Sequence, residues 1–378
     1  MGSMYAEKLY NMSPDAVKII AGPDRIRTLD HSGITINGKP YAFSYISPDA
    51  ASQSSGSPSL PLANPQLPLA NPQLPESLAQ SSDSSSQPPV SPPPADLIII
   101  AVKYPQLEQG IRDIAPFVGK DTIVISLLNG ISSEEIIGQA IGMEHMLYAF
   151  GLGMDAVREG NVVRYANAGR VIFGELRNDI PGPRADADPD LPVSEPGPFA
   201  SATDPDAPAA ESRASDPGAS AAARPGGFSE KVRLVKDLFE RAKIPHHIPA
   251  NMQKALWAKF MMNTGINQVS AVLKAPYGVF QQEGEARRLM LAASDEVLTL
   301  SRHLGIGLEE ADKTEFLRIL DTLNPTGKTS MLQDIEAGRK SEVDLFAGTV
   351  IQLGKKYNIA TPVNETLYRI IRAMEQIH

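Results

Sequence analysis

The sequence predicts an α/β fold: a doubly wound, Rossmann-type N-terminal domain followed by an all-α C-terminal domain. Two continuous apolar runs, Asp96–Val102 and Thr122–Leu127, read as strands buried on both faces of a parallel sheet. They alternate with helical segments, the order that βαβ units require. From Phe228 onward the apolar spacing is almost wholly helical.

Taken in order, Tyr5–Asn11 reads as a short helix and Val17–Ala21 as a strand. From about Ser47 to Ala95 the chain is Ser, Pro, Gln and Ala, with Leu60–Gln66 repeated as Leu67–Gln73. Gln106–Val118 is helical, with Pro105 near its start. The strand Thr122–Leu127 ends at Leu128-Asn129-Gly130. Ser132 or Ser133 then caps a helix to Ile141 with Glu135 in its first turn. Met146–Gly151 and Arg170–Gly174 are further strands. The stretch 178–227 is Pro, Ala, Asp and Ser. Neither low-complexity stretch can bury enough apolar surface to offset its ordering entropy, so both are expected to be disordered insertions. Helices follow at Glu230–Ala242, Met252–Leu273, Glu285–Leu304 and Glu309–Leu323. A last one runs from Ser330 to the C-terminus, with a break near Thr361-Pro362. The expected domains are therefore 1–177 and 228–378.

Composition narrows the function classes. A chain of 378 residues with 42% hydrophobic content can bury two cores. It has no cysteine, which removes disulfides and thiolate metal sites. A net charge of −9 and the lack of a basic patch argue against nucleic acid. No run reaches the ~18 apolar residues of a membrane span, and the start carries no basic-then-apolar signal pattern. A cytoplasmic protein with no membrane partner is expected.

The most informative pattern is the polar stripe Lys259, Asn263 and Asn267, at i, i+4 and i+8 on an otherwise apolar helix. Side chains at this spacing share a face. An ammonium and two amides in a row need something polar opposite, either solvent at a domain edge or a small ligand in a cleft. In open α/β sheets ligands bind beyond the carboxyl ends of the strands, where Lys103 and Asn129 lie. Gly130 beside Asn129 permits a tight turn and close backbone approach. Of the six histidines, His31, His145, His246, His247, His303 and His378, the adjacent pair His246-His247 is poorly spaced to chelate one metal. A loop or packing role is expected for that pair, and no metal site.

These residues resemble the ketopantoate reductase (2-dehydropantoate 2-reductase) family over nearly everything outside the two insertions. The matching elements are Ala101-Val102-Lys103 with Gln106, Leu128-Asn129-Gly130, Gly174-Glu175, Trp257-x-Lys259-x-x-x-Asn263-x-x-x-Asn267, and Ser330-Met331-Leu332-Gln333-Asp334-Ile335 with Glu342. The resemblance implies NADPH-dependent reduction of a 2-keto acid, 2-dehydropantoate to pantoate. It assigns Lys259 as the catalytic acid, with Glu342 holding the ammonium and helping to place the nicotinamide ribose or the substrate hydroxyl. Asn263, Asn267 and Ser330 are implied substrate contacts, and Asn129 a contact to both substrate and cofactor. Lys103 and Glu342 are also implied cofactor contacts. A helix N-cap is the structural alternative for Ser330, and a surface carboxylate on a helix for Glu342. A homodimer through the helical domain is a further expectation. The alternatives are a paralogous 2-keto acid reductase of the same fold and an inactive relative serving as an interaction module.

The departure from the family lies at the start. A dinucleotide domain opens with a strand running into Gly-x-Gly-x-x-Gly, whose glycines let backbone approach a pyrophosphate. The chain opens Met1-Gly2-Ser3-Met4-Tyr5, which matches only the tail of that motif, with Gly2 as its third glycine. About ten residues, a strand and half a loop, are expected upstream. The first explanation is an internal methionine of a longer chain, and the second a truncated relative. Cofactor choice turns on Ile20-Ala21-Gly22-Pro23-Asp24-Arg25, where Arg25 or Arg27 can meet a 2′-phosphate and Asp24 points the other way. NADP is expected.

Overall fold

The computed structural model describes residues 2–48, 92–154, 156–179 and 227–377. The expectation of disorder falls mostly on 49–91 and 180–226, outside these residues.

Helix α1 (Gly2–Met12) is followed by β1 (Lys18–Ile20), α2 (Pro23–Ser32) and three short strands. These are β2 (Ile34–Ile36), β3 (Lys39–Tyr41) and β4 (Ser44–Ile46). Then come β5 (Leu97–Ile100), α3 (Leu107–Ile114), β6 (Ile123–Ser126), α4 (Ser133–Ile141) and β7 (Met146–Met154). Strands β8 (Val157–Glu159), β9 (Val162–Arg164) and β10 (Ala168–Gly174) complete the first half. The main sheet has the order β11-β10-β7-β6-β5, with β11 the pair His246–His247. Strands β5, β6 and β7 run parallel, and β10 is antiparallel to β7. Its faces are covered differently. Met4 and Tyr5 of α1 pack on one side, together with Val232, Val235 and Phe239 of α5 (Glu230–Arg241). Leu107 and Ile114 of α3 and Ile137 of α4 pack on the other. Helices on both faces make the domain doubly wound, as expected. Parallel β1 and β4 form a separate pair. Among the described residues no strand lies between β1 and β5, and Ile20 and Ile46 reach the β5 core through side chains.

The second half is α-helical. Its axis is α6 (Met252–Leu273), followed by α7 (Tyr277–Gln281), α8 (Glu285–His303), α9 (Glu310–Thr322) and α10 (Ser330–Glu336). The single helix expected from Ser330 onward is instead several pieces. α10 gives way at Gly338 (φ +62°), a π turn follows at Asp344–Gly348, and α11 spans Thr349–Tyr357. Asn358 in the left-handed region ends α11, and Pro362 opens α12 (Pro362–Ile377). Trp257, Phe260 and Met261 of α6 share a core with Val297, Met331, Phe346 and Ile371.

Sequence periodicity missed the elements too short to show it. β2 and β3 are joined by Asn37-Gly38, both at positive φ. That dipeptide is a hairpin signal in its own right. β8 and β9 pair likewise, and β9 runs parallel to β2, giving a four-stranded sheet β3-β2-β9-β8. The His246-His247 pair, expected in a loop or in packing, is the edge strand beside Val171 and Ile172, with His246 packed against Phe173 and Phe239.

Candidate functional site

Asn251 starts α6 by accepting a hydrogen bond from the Lys254 amide at 2.9 Å. Two turns on, while Trp257 and Phe260 enter the helical core, Lys259 faces strand β7. Its Nζ donates to the Gly151 carbonyl at 2.9 Å and lies 5.0 Å from the centre of the Phe150 ring. The carbonyl is available because β6 pairs with β7 only through Leu147. Burial pulls the ammonium down to about 8, against the attraction of Glu342 and Glu134. An acid titrating there is protonated near neutrality and gives its proton up readily.

Asn129 stands at the carboxyl end of β6, and its Nδ2 donates to Glu342 Oε2 at 3.0 Å. Glu342 comes from the other domain, in the bend before the π turn rather than on the surface of a helix. Glu342, expected to hold the ammonium in place, makes no hydrogen bond to it among the described residues. The ammonium's hydrogen bond goes to Gly151, and Glu342 acts on it through space while held by Asn129. The two domains meet closely here. A Cβ on Gly130 (φ +91°) would lie 2.3 Å from Leu345 Cδ2, so the turn at this contact requires glycine.

Asn263 and Asn267 follow Lys259 on the same face, about 6 and 12 Å along the axis. Neither amide side chain has a hydrogen-bond partner among the described residues, and Asn267 is only 5% exposed. Neither amide is among the fully buried polar atoms, so both reach solvent from the same helix face as the Lys259 ammonium and are free to meet a polar ligand. Ser330 lies on neighbouring α10, exposed, as its first helical residue. The cap is Thr329, whose Oγ1 accepts from the Leu332 amide and donates to Ser270 of α6 at 3.2 Å. This leaves the Ser330 hydroxyl uncommitted.

Lys103, after β5, makes an ion pair with the buried carboxylate of Asp334 at 2.5 Å, and Arg339 meets the other oxygen at 2.8 Å. Gly2 packs beside the same strand end, where its Cβ would sit 3.1 Å from that of Ala101. Arg25 is not part of this group. It is exposed in the first turn of α2, near Arg158 of β8. Arg27 is paired with Asp24, so Arg25 is the arginine of the two without a carboxylate partner among the described residues. Sequence reading missed Gly151, Phe150, the role of Asp334 and the buried Glu134. Only Asp334 carried a signal, inside its motif. Among the described residues no three His, Asp or Glu side chains converge as a metal site.

A family model for ketopantoate reductase PanE/ApbA matches residues 1–178, and one for its C-terminal domain matches 251–375. The chain belongs to the ketopantoate reductase family. A 2-dehydropantoate 2-reductase of Vibrio cholerae is 24% identical over 283 residues, 75% of this chain and 78% of that one. An uncharacterized oxidoreductase, YkpB of Bacillus subtilis, is 22% identical over 281 residues, 74% of this chain and 77% of that one. Among solved structures, D-mandelate dehydrogenase with NADH and anilino(oxo)acetate matches with a TM-score of 0.67 at 19% identity, covering 100% of this chain and 96% of that one. This likeness bears on the fold. Of the residues expected at the site, Lys259, Asn129 and Glu342 come together from two domains, with Asn263 and Asn267 adjacent and Arg25 remote.

Proposed function

We propose that the chain reduces 2-dehydropantoate to pantoate with NADPH. The observation that carries this is the desolvated Lys259 ammonium at the head of a row of unpartnered amides, opposite the Asn129–Glu342 pair. The parts at the strand ends fit a dinucleotide: the Gly2 approach to Ala101, Lys103, and Asn129 beside the tight Gly130 turn. Arg25, free of a carboxylate, supports the 2′-phosphorylated cofactor over its unphosphorylated counterpart. A reduced nicotinamide, when bound there, would supply the hydride for C2 of the keto acid. As charge grows on the carbonyl oxygen, Lys259 meets it and passes it one proton, leaving a neutral amine and the alcohol product. Asn263 and Asn267 offer amide donors and acceptors to the substrate's hydroxyl and carboxylate, with Ser330 at the carboxylate. Asn129 fixes Glu342 so that its charge keeps the ammonium protonated.

The test is NADPH consumption on 2-dehydropantoate and on a panel of branched 2-keto acids. It is run on this chain and on the chain preceded by a strand and Gly-x-Gly turn. Lys259→Ala is expected to lower kcat/KM by about 10²–10⁴ with the fold kept by circular dichroism. Wild-type turnover in Lys259→Ala overturns the assignment, and preference for another keto acid replaces the substrate. A cytoplasmic location and a homodimer through the helical domain belong to the same proposal. Exposed Leu273, Val279 and Leu289 provide apolar surface there. Light scattering and fractionation test these two points.

A further inference from the structure

Glu134 is the acidic group that the reaction as described does not use. It lies in the first turn of α4, 1% exposed, with no cation at ion-pair distance among the described residues. Its carboxylate is nevertheless supplied with donors. Ser133 Oγ donates to Oε2 at 2.8 Å and is itself met by Ser126 Oγ at 3.0 Å, while the Ala149 amide lies 3.5 Å from Oε1. Such donors favour the charged form in a place where burial disfavours it.

The position of Ala149 matters. Backbone groups two residues apart on a strand point to the same edge. Ala149, which serves Glu134, and Gly151, which holds Lys259, therefore face the same side of β7, the side that β6 leaves beyond Leu147. The carboxylate and the ammonium are docked on one open strand edge, with anchor residues about 7 Å apart. Phe150, between the anchors, puts its ring against the ammonium.

We propose that Glu134 is a positioning residue for Lys259: docked beside it on the β7 edge, it is the second carboxylate that keeps the ε-ammonium charged. The proposal rests on the reading of Lys259 as the proton donor. Glu342 approaches from the helical domain and depends on domain contact, whereas Glu134 and Gly151 belong to the same domain and the same strand edge. The titratable groups facing Lys259 are thus Glu342 and Glu134. Those around Glu134 are Lys259, Glu135 and, bonded to Glu135 at 3.4 Å, Tyr148. Burial places Glu134 near 7, and the charge of Glu135 pushes in the same direction. The negative charge offered to Lys259 accordingly strengthens as pH rises through neutrality, where the ammonium would otherwise begin to lose its proton.

The test is the titration of Lys259 itself, by NMR of protein labelled with ¹³C-lysine, its signal assigned by loss in Lys259→Arg. No substrate or cofactor is present. Glu134→Gln keeps the size and an acceptor for Ala149 while removing the charge. It is expected to lower the Lys259 midpoint by about one pH unit, the effect of one charge at this distance inside a protein. Ser133→Ala, which weakens the charged form of Glu134, is expected to move it less in the same direction. Glu135→Gln, which relieves repulsion on Glu134, is expected to move it upward. An unchanged midpoint in Glu134→Gln overturns the proposal. If that variant does not fold, a shift of the same sign in Ser133→Ala and Glu135→Gln overturns it. The reading of Lys259 as acid falls separately, on retained turnover in Lys259→Ala.

Discussion

At the scale of single residues, the site is defined by one partly desolvated ammonium and two amides on the same helix face. Lys259 titrates near 8 because burial opposes its charge more than Glu342 and Glu134 support it. The acid must be protonated to act, so the sign is fixed. Turnover at saturating cofactor is expected to hold below that value and to fall tenfold per pH unit above it, read from a kcat profile between pH 6 and 10. Asn267 makes a different prediction. Its amide has no hydrogen-bond partner among the described residues but reaches solvent, so Asn267→Leu is expected to leave stability within about 0.5 kcal/mol while raising KM at least tenfold. A variant that loses stability and keeps KM would show that the amide serves the core instead.

At the scale of elements, the site depends on where strands stop. β6 ends at Ser126, which frees the β7 edge for Lys259 and Glu134 and places Asn129 at the mouth of the cleft. The turn at Gly130 then brings this strand end against Leu345. Gly130→Ala requires both a strained positive φ and space that Leu345 occupies, and is expected to cost about 2–4 kcal/mol in denaturant unfolding. Adding Leu345→Ala should recover only the steric part, because the backbone strain remains. Full recovery would mean that φ at this position is relaxed. The π turn that carries Leu345 follows directly after Glu342, so the same irregular segment supplies the contact and the carboxylate. Single π turns in helices occur frequently at functional sites.

At the scale of the molecule, the contacts that join the domains around the site include Lys103–Asp334, Asn129–Glu342, Lys259–Gly151 and Gly130–Leu345. Asp334 is 2% exposed and satisfied by Lys103 on one side and Arg339 on the other. Asp334→Asn is expected to lower stability by about 1–3 kcal/mol, discounted because Lys103 and Arg339 reach solvent. Calorimetry is expected to resolve two transitions in the variant, as the domains uncouple. A single unshifted transition would assign the coupling to the remaining contacts, Asn129–Glu342, Lys259–Gly151 and the apolar packing of Met252 and Leu256.

The sequence by itself determined the α/β class with a helical second part, the parallel strands β5 and β6, the long helix α6 and the stripe along it, but the segment it began at 228 opens with α5 and β11, which belong to the first sheet. These signals are local, lying in runs and spacings long enough to exceed a turn. It also identified Lys259, Asn129, Glu342 and Arg25 as candidates, through motifs rather than through contacts. The three-residue strands β2 to β4, β8 and β9 were illegible, because such segments are held by pairing with distant chain and not by their own composition. Only the tertiary structure decided that Lys259 hangs on Gly151 rather than on Glu342, that Thr329 and not Ser330 caps α10, and that Glu134 shares the β7 edge. Each of these depends on which backbone groups are left unpaired when strands and helices of different lengths pack together, a property of the assembled chain that no local window of residues contains.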